Sequence, residues 1–155
     1  MSRQDNKCSG MVDISDKAVT KRRAVATAVI SFEKKAFELF IKQGSPKGNV
    51  LETAKIAGIM AAKSTPSILP LCHPLALDKV KVDFEIKKSQ YTIVSTAEVV
   101  STGKTGVEME ALTAVSVACL TIYDMMKWAG QSMMISDVKL VHKSGGKSGV
   151  YEFKP

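Results

Sequence analysis

Few residues of the kinds that build disulfide frameworks or metal centres are present. The 155 residues include three cysteines and two histidines. Cys8, Cys72 and Cys119 form no CxxC pair, and the polar N-terminus lacks the apolar core of a signal peptide. A disulfide-stabilised secreted protein is therefore disfavoured, and we expect a reducing, cytoplasmic compartment. Cys72-His73 is an adjacent pair rather than a chelating spacing, so we expect no zinc or other metal site.

An uninterrupted hydrophobic run of membrane-spanning length is also missing. The longest apolar stretch, residues 107–129, contains four charged residues, which a lipid-spanning helix tolerates poorly. We therefore expect no membrane-spanning segment and no membrane partner.

Two glycine-rich turns resemble nucleotide-binding loops but lack the spacing that defines them. A Walker A loop needs a glycine five residues before its Gly-Lys pair. Neither Gly103-Lys104 nor Gly146-Lys147 has a glycine at that distance. Their ammonium groups, with Lys143 and the N–H groups of the turns, could still hold a phosphate. From the sequence pattern alone, the better explanation of these glycines and lysines is a solvated turn and a flexible tail.

The overall composition is typical of a globular protein with an anionic partner. Hydrophobic residues make up 45% of the chain and charged residues 24%, close to the averages for folded soluble proteins. The net charge of +7 suggests nucleic acid, a phosphorylated metabolite or an acidic membrane surface, without choosing among them. No repeat or linker divides the chain, so we predict a flexible tail at residues 1–10 and a single domain at residues 11–155.

The order of predicted elements indicates an α+β ferredoxin-like sandwich, with an antiparallel sheet and helices on one face. Runs of β-branched residues predict strands, and apolar residues three and four apart predict helices. Three prolines within nine residues, Pro66, Pro70 and Pro74, predict a rigid loop. In chain order we predict a strand at 23–32, helices at 33–43 and 49–63, a hairpin with strands near 80–86 and 91–102, a long helix at 107–129 and a strand at 133–142.

The long predicted helix carries three carboxylates of interest. Glu108 and Glu110 lie in its first turn, where the helix dipole favours negative charge. They point about 200° apart, so only one can face a given pocket, and we favour Glu110 because it shares a face with Asp124. Asp124 lies on an otherwise apolar face, where partial desolvation would raise its pKa and suit it to proton transfer. A plain surface ion pair with Lys127 explains Asp124 equally well.

His73 lies between two prolines of the predicted rigid loop. Such a loop could hold the side chain ready for a ligand and leave the backbone groups of Leu71 and Cys72 to a base or pterin edge. A surface histidine with no ligand is an equal alternative.

Six short stretches together carry a family resemblance. They are MVDIS at 11–15, KGNV at 47–50, LPLCHPL at 69–75, GKTGVEMEAL at 103–112, TIYDM at 121–125 and KSGGKSG at 143–149. In this order they closely resemble the cyclic pyranopterin monophosphate synthase family, the molybdenum cofactor biosynthesis protein C group. The resemblance implies a ferredoxin-like subunit, a hexamer built as a trimer of dimers, and an active site at the dimer interface.

The resemblance also implies a reaction and a set of site residues. The reaction is that of a lyase, which converts (8S)-3′,8-cyclo-7,8-dihydroguanosine 5′-triphosphate to cyclic pyranopterin monophosphate with release of pyrophosphate, in molybdenum cofactor biosynthesis. Carried over by motif, the catalytic residues are Asp124, Lys127 and Lys143, and the substrate-binding residues are Arg22, Lys47, Leu71, Cys72, His73, Met109 and Glu110. A triphosphate substrate would explain the excess of lysine, because several cations must converge on it.

The implied chemistry calls for proton transfer and stabilisation of a leaving pyrophosphate rather than a redox cofactor. We therefore expect no required cofactor, and the sequence does not decide whether Mg²⁺ accompanies the phosphates. Two other classes share the fold: an RNA-binding module and a regulatory small-molecule-binding domain. An RNA-binding module needs aromatic residues on adjacent central strands. These residues are missing, so we expect no nucleic-acid partner. A turnover assay separates a regulatory binding domain from an enzyme.

If Glu110 and Asp124 belong to one pocket, as the resemblance implies, their spacing along the long helix suggests a site shared between two chains. Glu110 and Asp124 are 14 residues apart, or about 21 Å along a helix axis, too far for one nucleotide-sized ligand to engage both easily. Antiparallel pairing of the helix with its copy about a two-fold axis would bring Glu110 of one chain near Asp124 of the other. The small residues Ala114, Val117 and Thr121 would suit such a close approach.

Overall fold

The computed structural model describes residues 10–154 and shows one antiparallel sheet with helices packed on one side. The strands are β1 (Thr20–Ser31), β2 (Lys79–Lys87), β3 (Thr92–Gly103), β4 (Met134–Ser144) and β5 (Tyr151–Glu152), in the spatial order β2-β3-β1-β4-β5. The helices are α1 (Lys34–Gln43), α2 (Val50–Lys63), α3 (Thr65–Ile68) and α4 (Glu108–Met126), with a 3₁₀ turn at Lys88–Gln90. The predicted ferredoxin-like α+β class is confirmed. The predicted tail at residues 1–10 lies, except for Gly10, outside the described residues.

Buried and half-buried residues alternate along β1, the central strand of the sheet. In β1, every second residue is fully buried against the helices, and these are Ala24, Ala26, Ala28 and Ile30. The residues between them lie on the opposite face, which no helix covers, and are half-buried. Three alanines in a row on the inner face leave room for α4 to lie close to the strand.

The predicted hairpin is confirmed, with β2 paired antiparallel to β3 over its whole length. Val82 is 1% exposed, whereas Ile86 is 36% exposed. β2 is the edge strand of the sheet, and its alternating apolar residues are therefore covered only in part. Phe84 packs against the core cluster, so it is not available on the uncovered sheet face as an RNA-stacking platform would require.

Helix α4 lies in the core, where it packs against β1, β3 and β4 and beside α2, which itself contacts β2. Its contact with α2 depends on Gly58, because a Cβ at that position would lie 3.0 Å from the Ala114 carbonyl oxygen and 3.4 Å from the Ala118 Cβ. Ala114 and Ala118 are fully buried. The prediction that small residues on this side of α4 serve a partner chain is therefore wrong at Ala114, because α2 of the same chain already occupies that side.

Among residues 10–154, one helix, α4, is long and apolar enough to cross a membrane by length and composition alone. Half of that segment is buried inside the fold, and its buried residues belong to the same core as β1 and β3. Its apolar character is accounted for by packing within the domain.

Two local predictions differ from the structure. The proline-rich segment begins with one helical turn, α3, because Pro66 falls in the first turn, where a missing N–H does not break a helical hydrogen bond. The last long strand, predicted to stop at His142, continues to Ser144. Lys143 is therefore a strand residue opposite Ala24 rather than part of a flexible tail. The side chain of Asn49 caps α2 by accepting from the Glu52 N–H at 3.1 Å.

Candidate functional site

The predicted site residues fall into three groups placed along α4. Arg22 and Lys143 lie in a cavity beside its N-terminus, which we call the basic pocket. Residues 69–75 form the histidine loop, next to Glu110 in the first turn. Lys47, Asp124 and Lys127 form the aspartate cluster at the C-terminal end.

The basic pocket has a volume of about 470 Å³ and opens between β1, β4, the glycine-rich turn after β4 and the start of α4. Among its lining residues one is a carboxylate, Glu108, and six are cations: Lys17, Arg22, Arg23, Lys104, Lys143 and Lys147. Such an excess of positive charge at the positive end of a helix favours a polyanionic ligand.

Arg22 is held in this pocket by two backbone carbonyls. Its Nε donates to the Gly103 carbonyl oxygen and its Nη2 to the Lys104 carbonyl oxygen, both at 3.3 Å. The guanidinium lies against Gly146, which has φ of +76° and no room for a Cβ. The glycine-rich turn thus allows the backbone to wrap around the arginine.

Lys143 projects from β4 toward the start of α4 and pairs with Glu108, with 3.1 Å between Nζ and Oε1. Glu108, and not Glu110, is therefore the carboxylate of the first turn that lines the basic pocket. The assignment of Glu110 as the substrate-binding carboxylate stays a prediction.

Glu110 points instead into the protein, toward the histidine loop. It is 3% exposed, and burial raises the pKa of its carboxyl. Burial, and secondly the charge of Glu110, raise the pKa of the neighbouring Cys72 thiol. Met109, the residue before Glu110, is 41% exposed, and Leu71 is 61% exposed. Cys72 and Glu110, one from each of these two motifs, therefore lie close together.

His73 is oriented by the N-terminal segment that precedes β1. Its ring Nε2 lies 2.9 Å from the carbonyl oxygen of Val12. Because a carbonyl can only accept, Nε2 carries a proton in this arrangement, and Nδ1 is the nitrogen left to accept from a ligand.

The aspartate cluster is an exposed triad of charges. Asp124 Oδ2 lies 2.6 Å from Lys47 Nζ, and Oδ1 lies 2.8 Å from Lys127 Nζ. The side chain of Asp124 is 52% exposed, and hydrogen bonds from Lys127 and then Lys47 lower its pKa to about 2. The prediction of a desolvated Asp124 with a raised pKa is therefore wrong for the single chain. The alternative, an ion pair with Lys127, is confirmed.

The three groups do not converge on one cavity within a single chain. The basic pocket and the histidine loop adjoin opposite sides of the first turn of α4. Asp124 lies 14 residues beyond Glu110 on the same helix, which is about 21 Å along the axis. Among residues 10–154, no group of three or more His, Cys, Asp or Glu side chains is placed to hold a metal ion.

Comparison with known proteins identifies the family. A family model described as "MoaC family" matches residues 11–146, which include every predicted site residue. The chain belongs to the MoaC family. A protein of Methylobacterium nodulans named "Cyclic pyranopterin monophosphate synthase" is 54% identical to this MoaC-family chain, covering 95% of it and 92% of the relative. A protein of the same name from Parvibaculum lavamentivorans is 51% identical, covering 93% of this chain and 90% of the relative.

A solved complex of a ferredoxin protease FusC mutant with Arabidopsis ferredoxin aligns with 64% of the chain and 9% of its own, at 13% identity and a TM-score of 0.31. This likeness is too weak to bear on the fold or the function.

Sequence reasoning did not assign five of the charged residues that line the basic pocket to the site: Lys17, Arg23, Lys104, Glu108 and Lys147. Lys104 and Lys147 were recognisable as cations beside glycine-rich turns. For Arg23 the sequence contains no such signal, because only the pairing of β1 with β3 and β4 brings it to the pocket. Lys17 reaches the pocket from the segment that precedes β1.

Proposed function

We propose that this chain is a lyase that converts (8S)-3′,8-cyclo-7,8-dihydroguanosine 5′-triphosphate to cyclic pyranopterin monophosphate and pyrophosphate, in molybdenum cofactor biosynthesis. The observation that carries the proposal is identity above 50%, over more than nine-tenths of the chain, with relatives named for this synthase. The basic pocket supports it, because a triphosphate substrate needs several converging cations.

The basic pocket is our proposed site for the triphosphate. Arg22 offers a planar guanidinium suited to phosphate oxygens, and Lys143 lies beside it. Glu108 holds Lys143 in place, and a phosphate would compete with that carboxylate for the ammonium. Near the leaving pyrophosphate, such cations stabilise developing negative charge.

The aspartate cluster is the proposed proton-transfer centre. With a pKa of about 2, Asp124 is ionised at neutral pH, and its hydrogen bond raises the pKa of Lys127, which is then protonated. In this state the carboxylate positions two ammonium groups and is a weak base. When phosphate oxygens draw the lysines away, the carboxylate loses the contacts that depress its pKa and becomes a stronger base.

Each complete site is proposed to draw on two chains, at the dimer interface of a hexamer in the cytoplasm. The separation of the aspartate cluster from the other two groups supports this arrangement. On α4 the side turned away from α2 and the sheet remains exposed, including Leu120 at 57%. A hexamer would have a mass of about 100 kDa, six times the 16.7 kDa chain, which light scattering on the eluting protein measures.

The activity is tested by incubating the purified chain with the cyclic dihydroguanosine triphosphate. Release of pyrophosphate and a fluorescent pterin after oxidation is expected. Tight binding of the nucleotide without either product would instead identify a regulatory binding domain and refute the proposed enzyme.

The two-chain arrangement is tested by complementation between two inactive variants. Glu110→Ala and Asp124→Ala chains are unfolded together, refolded as mixed oligomers and assayed, with each variant refolded alone as the control. Partial recovery is expected in the mixture, because some dimers regain one site with both carboxylates. If mass spectrometry shows mixed oligomers and activity stays at background, these residues do not act from opposite chains.

A further inference from the structure

The motif MVDIS at residues 11–15 has no part in the function as proposed so far. In the structure it belongs to an extended segment before β1, which we call the strap and define as residues 11–17. Apart from Ile14, which is half-buried, every residue of the strap is exposed. Val12, for example, is 61% exposed. Burial of apolar side chains therefore contributes little to holding the strap where it is.

Two bonds from side chains of the candidate site reach the strap backbone. The His73 ring donates from Nε2 to the Val12 carbonyl oxygen at 2.9 Å, and Lys104 Nζ donates to the Ser15 carbonyl oxygen at 2.6 Å. His73 belongs to the histidine loop and Lys104 to the basic pocket. The strap thus bridges two parts of the site that lie 31 residues apart in the chain.

The strap has its own turn, which sets where these carbonyls point. Asp13 Oδ1 accepts from the Ser15 backbone N–H at 2.8 Å and from the Ser15 hydroxyl, and the Lys17 N–H donates to the Ile14 carbonyl oxygen at 3.1 Å. The same hydrogen bonds from Ser15 lower the pKa of the Asp13 carboxyl. Asp13 therefore closes a turn placed between the two accepting carbonyls.

We infer that the strap is a positioning element, and that Asp13 acts through it to fix the tautomer of His73 and the reach of Lys104. A carbonyl acceptor at Nε2 keeps the proton on that nitrogen and directs Nδ1 toward the ligand. An ammonium has three donors, so Lys104 can keep its bond to Ser15 and still donate to a phosphate. The catalytic consequence rests on the proposed function, whereas the tautomer does not.

The direct test is the ring-nitrogen NMR spectrum of the full chain labelled with ¹⁵N-histidine. The sequence contains only two histidines, and His142, whose Nδ1 pairs with Glu152, serves as the internal reference. The wild-type His73 is expected to give the shifts of the Nε2–H tautomer at a pH where the ring is neutral. In a chain lacking residues 1–16, a mixture of tautomers is expected, while a chain lacking only residues 1–9 should match the wild type.

A matched pair of point variants separates positioning from a general loss of structure. Asp13→Ala removes the acceptor of the turn, whereas Asp13→Asn keeps an oxygen at the same place. We expect Asp13→Ala to lower kcat/KM about tenfold, the size of one oriented hydrogen bond, and Asp13→Asn to restore most of it. Circular dichroism should give the same helix content for both.

Three results would overturn the inference. One is an unchanged His73 tautomer in the chain lacking residues 1–16. Another is an Asp13→Asn variant as impaired as Asp13→Ala, and the third is an Asp13→Ala variant with wild-type kcat/KM. If the long truncation does not fold, the tautomer is read from Asp13→Ala. If the wild type itself shows no turnover, the proposed function fails while the NMR comparison still decides the role of the strap.

Discussion

Replacement of Gly58 tests the close approach of α2 to α4 on which the core depends. In an exposed helix, alanine is more favourable than glycine by about 1 kcal/mol. Here the new Cβ would lie 3.0 Å from the Ala114 carbonyl oxygen and 3.3 Å from Val82 Cγ2. The first of these atoms belongs to the backbone of α4, which cannot move without shifting a helix. Overpacking of this kind costs about 2 kcal/mol, so Gly58→Ala should lower the free energy of unfolding by about 1 kcal/mol.

The matched control is Ala57→Gly, one residue earlier on the half-exposed side of α2. It measures the helix-propensity effect alone and should lower stability by about 1 kcal/mol. Gly58→Val, which adds two further methyl groups against α4, should lower it by about 3 kcal/mol. Urea unfolding followed by circular dichroism, at one protein concentration for all variants, gives these differences. A Gly58→Ala protein more stable than the wild type by about 1 kcal/mol would refute the tight contact.

Three further predictions concern charged and site residues. Hydrogen bonds from Lys79 and then Arg23 lower the pKa of Glu98 to about 2. The ionised Glu98 therefore stabilises the fold above pH 4.5, and this stability is lost as the pH falls toward 2. Glu98→Gln should therefore lower the free energy of unfolding by about 1 kcal/mol at pH 7, and by much less near pH 2, in urea titrations at both pH values. Lys127→Ala and Lys143→Ala should abolish turnover while the thermal midpoint stays within a few degrees; unfolded variants would contradict a role in the site. His73→Ala should weaken substrate binding or turnover, and stoichiometric metal in the wild-type protein by elemental analysis would show that His73 has a different role.

Patterns with a local cause were predictable from the sequence. The alternation in β2 follows from a pleated strand with one covered face, and it gave the hairpin correctly. Asn49 was predictable as a cap because its side chain needs only the N–H groups of the next few residues. The proline-rich segment was misjudged because Pro66 fits the first turn of a helix as well as it fits a loop.

Features that depend on contacts distant in sequence were not predictable. The choice between Glu108 and Glu110 is decided by which side of α4 meets β4, and the position of Lys143 on that strand follows from two register shifts between β1 and β4. Asp124 was expected to be desolvated because its helix face is apolar in sequence. Its pKa falls instead because of hydrogen bonds from Lys127, one turn farther along the helix, and secondly from Lys47, which reaches it from 77 residues away in the chain.

The continuous length of α4 also determines which changes in chain length the protein can accept. Each residue added to a helix advances it by 1.5 Å and turns everything beyond by 100°. One residue inserted near Ser116 would therefore rotate Asp124 away from Lys47 while leaving the basic pocket intact. Seven inserted residues would nearly restore the rotation, because they make almost two turns, but they would carry Asp124 about 10 Å farther from the pocket. Functional relatives should accordingly vary in length in their loops and keep the residue count between Glu110 and Asp124 unchanged.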